Sequence, residues 1–196
     1  MKQIIIASNN KKKLKELSEI LSSLDIEIIS QKDAGFDIEV EETGKSFEEN
    51  ALLKAKTICK ALGQPTIADD SGLMVTALNG QPGICSARYA GDGASDQQKT
   101  EKLLLNMKDV PKDKREAKFV CVIAFCLPNG KSYTFNGECF GEILYKSCGE
   151  GGFGYDPIFY VKQYDKTFAQ LDSEIKNKIS HRAKALNKFK EFINDF

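Results

Sequence analysis

The stretch "AKFVCVIAFCL", residues 117–127, constrains the fold more than any other part of the chain. It is a near-continuous apolar run, too short to span a bilayer. With apolar side chains on both faces, it suits a central strand covered on both sides. "PNG" at 128–130 then reads as a hairpin turn. Beyond the turn, Tyr133, Phe135, Cys139 and Ile143 alternate along a returning strand.

The neighbouring patterns predict a strand over 3–7, a helix over 11–22 and a strand over 25–30. "SFEENALLKAKTICKAL" predicts a helix with Phe47, Ala51, Ala55, Ile58 and Leu62 on one face. A strand at 66–69 ends in a turn, and a helix covers 96–107. The last predicted helix carries Ile179, Ala183, Leu186, Phe189 and Ile193 on its inner face. Strands and helices mixed in this way imply an α/β fold, a mixed sheet flanked by helices. There is no repeat, low-complexity tract or linker, so residues 1–196 read as one domain.

Charge narrows the function. Lys plus Arg total 28 and Asp plus Glu total 28, a net charge of zero. Duplex binding and a basic groove for single-stranded RNA both want surplus cations, so a nucleic-acid partner is not expected. The charge is unevenly spread: residues 1–15 hold five lysines and no acid, and 33–49 hold seven acids against one lysine. A local anion site facing a local cation site follows. "MKQIIIASNN" is short for a signal peptide, and no run approaches a membrane span. The six cysteines form no CxxC pair and no zinc spacing, and Cys121 and Cys126 read as small buried hydrophobes of a reducing cytosol.

Several segments can carry chemistry. In "ASNNKKKLKEL" three lysines open a helix, where the dipole makes each cation unfavourable by about 0.3–1 kcal/mol. Open amides plus ammonium groups at that turn make an anion pocket; lysines fanning into water are the plain alternative. No GxxxxGK is present, so this is not a Walker loop. "IADDSGL", 67–73, sets two carboxylates at the carboxyl end of a strand, where ligands gather in open α/β sheets. A divalent cation would relieve their repulsion; a polar Asp-Ser-Gly turn fits the same residues. In "VEETGKSFEEN", Ser46 and Glu49 match a capping box, Glu48 suits the helix dipole, and Glu41 or Glu42 remains to supply a second metal oxygen or a solvated loop. "GEGGFGYDP", 149–157, sets four glycines around Phe153 and Tyr155, either a stacking surface for a base or a flexible loop with two core aromatics. The only histidine, His181, enters a helix beside Ser180 and Arg182.

Taken in order, "ASNNKKKLKEL", "EETGKSFEENALLKA", "IADDSGL", "PGICSARYAG", "FVCVIAF", "GGFGYDPIF", "YDKTF" and "ISHRAKAL" resemble the inosine triphosphate pyrophosphatase family, the Ham1-like proteins, over nearly the whole chain. The resemblance implies an elongated mixed sheet in two lobes with a nucleotide cleft between them, usually in a homodimer. It implies Mg²⁺-dependent hydrolysis of ITP, dITP and XTP to the monophosphate and pyrophosphate. By motif, Ser8, Asn9, Asn10, Lys11, Lys12 and Lys13 would bind phosphate. Asp70 would be catalytic and a metal ligand, and Glu41 the other metal carboxylate. Ser71, Phe153, Gly154, Tyr155, Asp156, Lys176, His181 and Arg182 would contact the nucleotide. Ser8-Asn9 stands where many members carry Thr-Gly, and Lys11-Lys12 are bulkier than usual.

On this reading the cost of the lysines at the wrong helix end is offset by charge-assisted bonds to phosphate. Donors near His181 and Arg182, or amides of the glycine loop, would read a 6-keto base. A nucleotide-binding module without catalysis, and a pyrophosphatase for another nucleoside triphosphate, are the competing classes.

Overall fold

The computed structural model describes residues 3–196. Its strands are β1 (Gln3–Ile6), β2 (Glu27–Ser30), β3 (Thr66–Val75), β4 (Glu116–Cys126), β5 (Ser132–Ile143), β6 (Phe159–Val161) and β7 (Lys166–Thr167). The α-helices are α1 (Lys11–Leu21), α2 (Phe47–Leu62), α3 (Asp96–Asn106), α4 (Ser173–Ile179) and α5 (His181–Asp195). All seven described strands join one sheet in the order β2-β1-β3-β4-β5-β6-β7. β1 is parallel to β2 and β3, whereas β6 is antiparallel to β5 and β7, so the sheet is mixed. The expected hairpin turn is present: Leu127 N–H donates to Lys131 O, and Gly130 N–H to Leu127 O.

The chain divides into two compact units. One holds the residues through Asp70 together with Cys121–Gly137 and His181–Phe196; the other holds Ser71–Val120 and Glu138–Ser180. The division falls inside β3, β4 and β5, and again between α4 and α5.

In the first unit, strand alternation sorts side chains onto two faces. Ile4, Ile6, Cys121, Ile123 and Phe125 pack with Leu17 and Leu21 of α1 and Leu186 and Phe189 of α5. Ile5, Ala7, Val122, Ala124 and Cys126 pack with Ala51, Ala55 and Ile58 of α2. β4 is therefore covered on both faces, as its apolar run predicts. Burying each such large side chain contributes roughly 1.5–3 kcal/mol.

The second unit has its own core of Leu73, Val75, Leu103, Met107, Ile143, Phe159 and Phe168, with the Phe119 and Phe159 rings 4.6 Å apart. Buried Arg115 donates to the carbonyls of Met107, Val110, Ile143 and Leu144, tying the end of α3 to β5.

Two expectations are overturned. β3 does not stop at residue 69; it runs on through Asp69, Asp70, Ser71 and Gly72 to Val75. Leu73 and Val75 bury completely at its far end, and the Leu73 amide is held by Ser86 Oγ at 2.9 Å. Ile179 also lies off the last helix. It ends α4 and packs on the core of the second unit, because Ser180 is extended (φ −66°, ψ 159°) and separates α4 from α5.

Candidate active site

The turn after β1 is built by side chains. Ser8 Oγ accepts from the Asn10 amide (3.2 Å), and Asn10 Oδ1 accepts from the amides of Lys12 (3.0 Å) and Lys13 (3.1 Å). Asn10 thus caps α1, and the anion pocket expected from open amides is closed at those two positions. Asn9, Asn10, Lys11 and Lys12 are exposed. Lys13 is different. Its Nζ turns inward to 2.9 Å from Asp69 Oδ1.

Asp69 is 2 % exposed and lies in the middle of β3, not at its carboxyl end. Arg182, also 2 % exposed, donates Nε (3.2 Å) and Nη2 (3.0 Å) to Asp69 Oδ2, and its Nη1 donates to Glu16 of α1 at 2.5 Å. Burial opposes the charge on Asp69, but Lys13, Arg182 and Lys54 outweigh it and hold the carboxyl far below the usual range. Arg182 is likewise raised: its burial is outweighed by Asp69 and Glu16.

Asp70, one residue on, meets other partners. Asn50 and Lys54, four residues apart on one face of α2, donate to Asp70 Oδ2 (3.2 Å) and Oδ1 (3.3 Å). Lys54 Nζ also donates to Glu42 at 2.5 Å, and Asn50 Oδ1 accepts from the Gly44 amide at 2.8 Å. Burial raises the Asp70 pKa, with Glu42 and Asp69 reinforcing it against Lys54 and Lys13. Two neighbouring carboxyls are therefore driven in opposite directions, the arrangement that separates a fixed charge from a proton-accepting group.

Glu41 is exposed, whereas Glu42 shares Lys54 with Asp70. Among the described residues, no three His, Cys, Asp or Glu side chains converge as a complete metal site. Mg²⁺ needs no such cage; it takes one or two carboxylates, with water and phosphate oxygens completing the octahedron. Asp70 and Glu42, gathered on the Lys54 ammonium, present the oxygen donors that such an ion takes. Glu49 makes half of the expected capping box: Ser46 Oγ accepts the Glu49 amide, while its carboxylate accepts from the Lys45 amide.

In the second unit the glycine loop is a braced turn. Phe153 N–H donates to Asp156 Oδ2 (2.8 Å), and Gly154 N–H to Asp96 Oδ2 (2.9 Å). Two of the glycine-loop amides, expected as a group to read a base, are thus committed to carboxylates. Asp156 is buried and receives Lys176 Nζ at 2.6 Å, and that ammonium lies 4.8 Å from the Phe153 ring centre. Gly152 (φ +72°) is required here, since a Cβ would stand 2.1 Å from Asp156 Oδ2. Tyr155 is 4 % exposed, with its hydroxyl on Ser86 O at 2.9 Å, so its ring is core and not a stacking surface. Phe153 keeps a half-exposed ring. Ser71 is half-buried on β3, and His181 is the buried first residue of α5.

Sequence reasoning passed over Glu16, Asn50 and Lys54, and read Asp69 and Glu42 only as a member of a carboxylate pair and as one of two candidate metal oxygens. A signal existed for two of them: Asn50 and Lys54 are polar residues on a helix whose apolar face is otherwise clear. The other links join residues far apart in sequence.

The Ham1 family model matches residues 4–192. A dITP/XTP pyrophosphatase of Bacillus cereus is 48 % identical, covering 100 % of this chain and 97 % of that protein. One from Clostridium perfringens is 49 % identical, covering 97 % of each. The Ham1 protein of Staphylococcus aureus superposes with a TM-score of 0.89 at 48 % identity over 99 % of both chains. A HAM1 protein from Coxiella burnetii gives 0.91 at 41 % identity over 100 % of both. With eight motifs in order, the mixed sheet and this full-length likeness agreeing, the chain belongs to the Ham1 family.

Proposed function

We propose that this protein hydrolyses non-standard purine nucleoside triphosphates (dITP, XTP and ITP) to the monophosphate and pyrophosphate, clearing them from the nucleotide pool. The observation that carries this reading is the convergence of Lys13, Lys54 and Arg182 on the adjacent Asp69 and Asp70. Its support is the full-length likeness to proteins called dITP/XTP pyrophosphatase.

In the proposed reaction, water attacks the α-phosphorus in line, the bond to the β-phosphate bridging oxygen breaks, and pyrophosphate departs. Mg²⁺, held by Asp70 and Glu41, would neutralise charge on the phosphate oxygens. Asp70 accepts a hydrogen bond from the attacking water and takes its proton. Lys13 donates to the phosphates, with spare N–H groups beyond the one on Asp69. Asp69 and Arg182 hold that lysine in place. Lys11, Lys12 and the side chains of Ser8, Asn9 and Asn10 complete the phosphate turn. On motif likeness we assign Ser71, Phe153, Gly154, Tyr155, Asp156, Lys176 and His181 to the same substrate, Tyr155 and Asp156 by shaping the loop rather than by touching the base. No described helix is long and apolar enough to cross a membrane. A cytoplasmic homodimer without a nucleic-acid partner belongs to the same proposal.

The test is product analysis. ITP, XTP, GTP and dTTP are incubated with the protein, with and without Mg²⁺, and pyrophosphate is separated from orthophosphate. The expected outcome is pyrophosphate from ITP and XTP only with metal. Binding without turnover returns the chain to a regulatory module, and turnover of dTTP ahead of ITP assigns it another base.

A further inference from the structure

Gly154 is held from outside its own loop by a single helix. Asp96 Oδ2 accepts from the Gly154 amide at 2.9 Å, and Thr100, one turn further along α3, places its hydroxyl 3.4 Å from the Gly154 carbonyl. The two partners lie 58 and 54 residues from Gly154 in sequence. Asp96 stands in the first turn of α3, where an acid ordinarily serves the helix dipole. Here that end is already satisfied. Ser95 Oγ accepts the Gln98 amide and Gln98 Oε1 accepts the Ser95 amide, a complete capping box. The Asp96 carboxylate has partners beyond its own helix end. It reaches out to Gly154 with one oxygen and is steadied by Lys99 Nζ at 2.8 Å on the other.

The held peptide matters for what it carries. Phe153 precedes it, and the Phe153 amide is pinned separately by Asp156. Gly154 sits at φ +61°, and a Cβ built there meets nothing within 4 Å, so the loop presents open space at this residue. Tyr155, next in line, is anchored in the core through Ser86. Asp96 thus fixes the first of the two peptides between a half-exposed ring and a buried one.

We propose that Asp96 is a positioning residue for nucleotide selection, setting the Phe153–Gly154 peptide on which the purine is received. The proposal rests on the reading under Proposed function. Asp96 touches no reacting atom in it; the residue acts through Gly154.

The full-length protein serves for the test. Asp96→Ala removes the acceptor, and Asp96→Asn keeps an oxygen for the Gly154 amide while removing the charge. Steady-state pyrophosphate release from ITP is measured alongside inhibition by added pyrophosphate, with thermal unfolding as the check on folding. The expected result for Asp96→Ala is a KM for ITP raised about tenfold, the scale of one ordinary hydrogen bond. Its kcat and pyrophosphate inhibition stay within about twofold, and Asp96→Asn recovers most of the KM. A KM unchanged in Asp96→Ala, no recovery in Asp96→Asn, or pyrophosphate inhibition weakening in step with KM each overturns the role of Asp96. A wild-type protein that releases no pyrophosphate from ITP overturns the functional reading itself, so the two failures are told apart.

Discussion

Each unit buries aspartate beside lysine, but to different ends. In the first, Asp69 and Asp70 are consecutive residues on one strand, yet Asp69 is drawn far below the usual range while Asp70 is raised. Asp69 meets Lys13 and Arg182 at close range, whereas Asp70 shares a single lysine with Glu42. In the second unit the carboxylates are spent on the backbone: Asp156 and Asp96 each take one amide of the glycine loop and one lysine. The first arrangement raises one carboxyl and lowers its neighbour. The second braces the backbone of the glycine loop. Burial alone does not decide what an acid does; the number and identity of its partners do.

The comparison breaks most readily at Asp69. Asp69→Ala removes the carboxylate that takes two donors of the buried Arg182 guanidinium and should cost about 3–5 kcal/mol of stability at pH 7, read from urea unfolding. Because the folded pKa of Asp69 lies below its unfolded value, its contribution is present above that unfolded value and fades as pH falls through the folded one. The gap between wild type and variant should therefore narrow in strong acid; a gap constant with pH would contradict the assignment.

Asp70→Asn sharpens the contrast. Burial already disfavours its charge, so the variant should unfold no earlier than wild type while pyrophosphate release from ITP drops about a hundredfold, roughly 2.7 kcal/mol. Near-normal turnover would falsify the catalytic role. In the second unit, Tyr155→Phe removes the hydroxyl from Ser86 O and should lower stability by about 1.5 kcal/mol without altering the inhibition by pyrophosphate. The smallest effect belongs to Asn10→Ala, which frees the amides of Lys12 and Lys13 at a cost of about 1 kcal/mol in thermal unfolding.

How far the site was legible in the sequence depended on range. Ser46, as a cap, follows from local chemistry, and so do the starts of α1 and α2, whereas Asn10, expected in an open anion loop, caps α1 instead. The persistence of β3 was not legible, because "DDSG" carries the composition of a turn. The strand survives there since Lys13, Arg182, Asn50 and Lys54 answer its charges, from as far as 113 residues away. The displaced Ile179 has a similar cause: helical spacing continues across Ser180, but the chain leaves one core for another.

By itself the sequence determined the elements whose signals are local: the apolar run of β4, its hairpin, the amphipathic helices, and the ordered motifs that mark the family. Tertiary structure alone decided how the two aspartates differ. It drew the Asp69 carboxyl below its usual range and raised that of Asp70, turned Lys13 inward, and drew Tyr155 into the core. The physical reason is that propensity and periodicity act between residues a few positions apart. The energy of a buried charge depends on which distant groups the fold brings within about 3 Å of it.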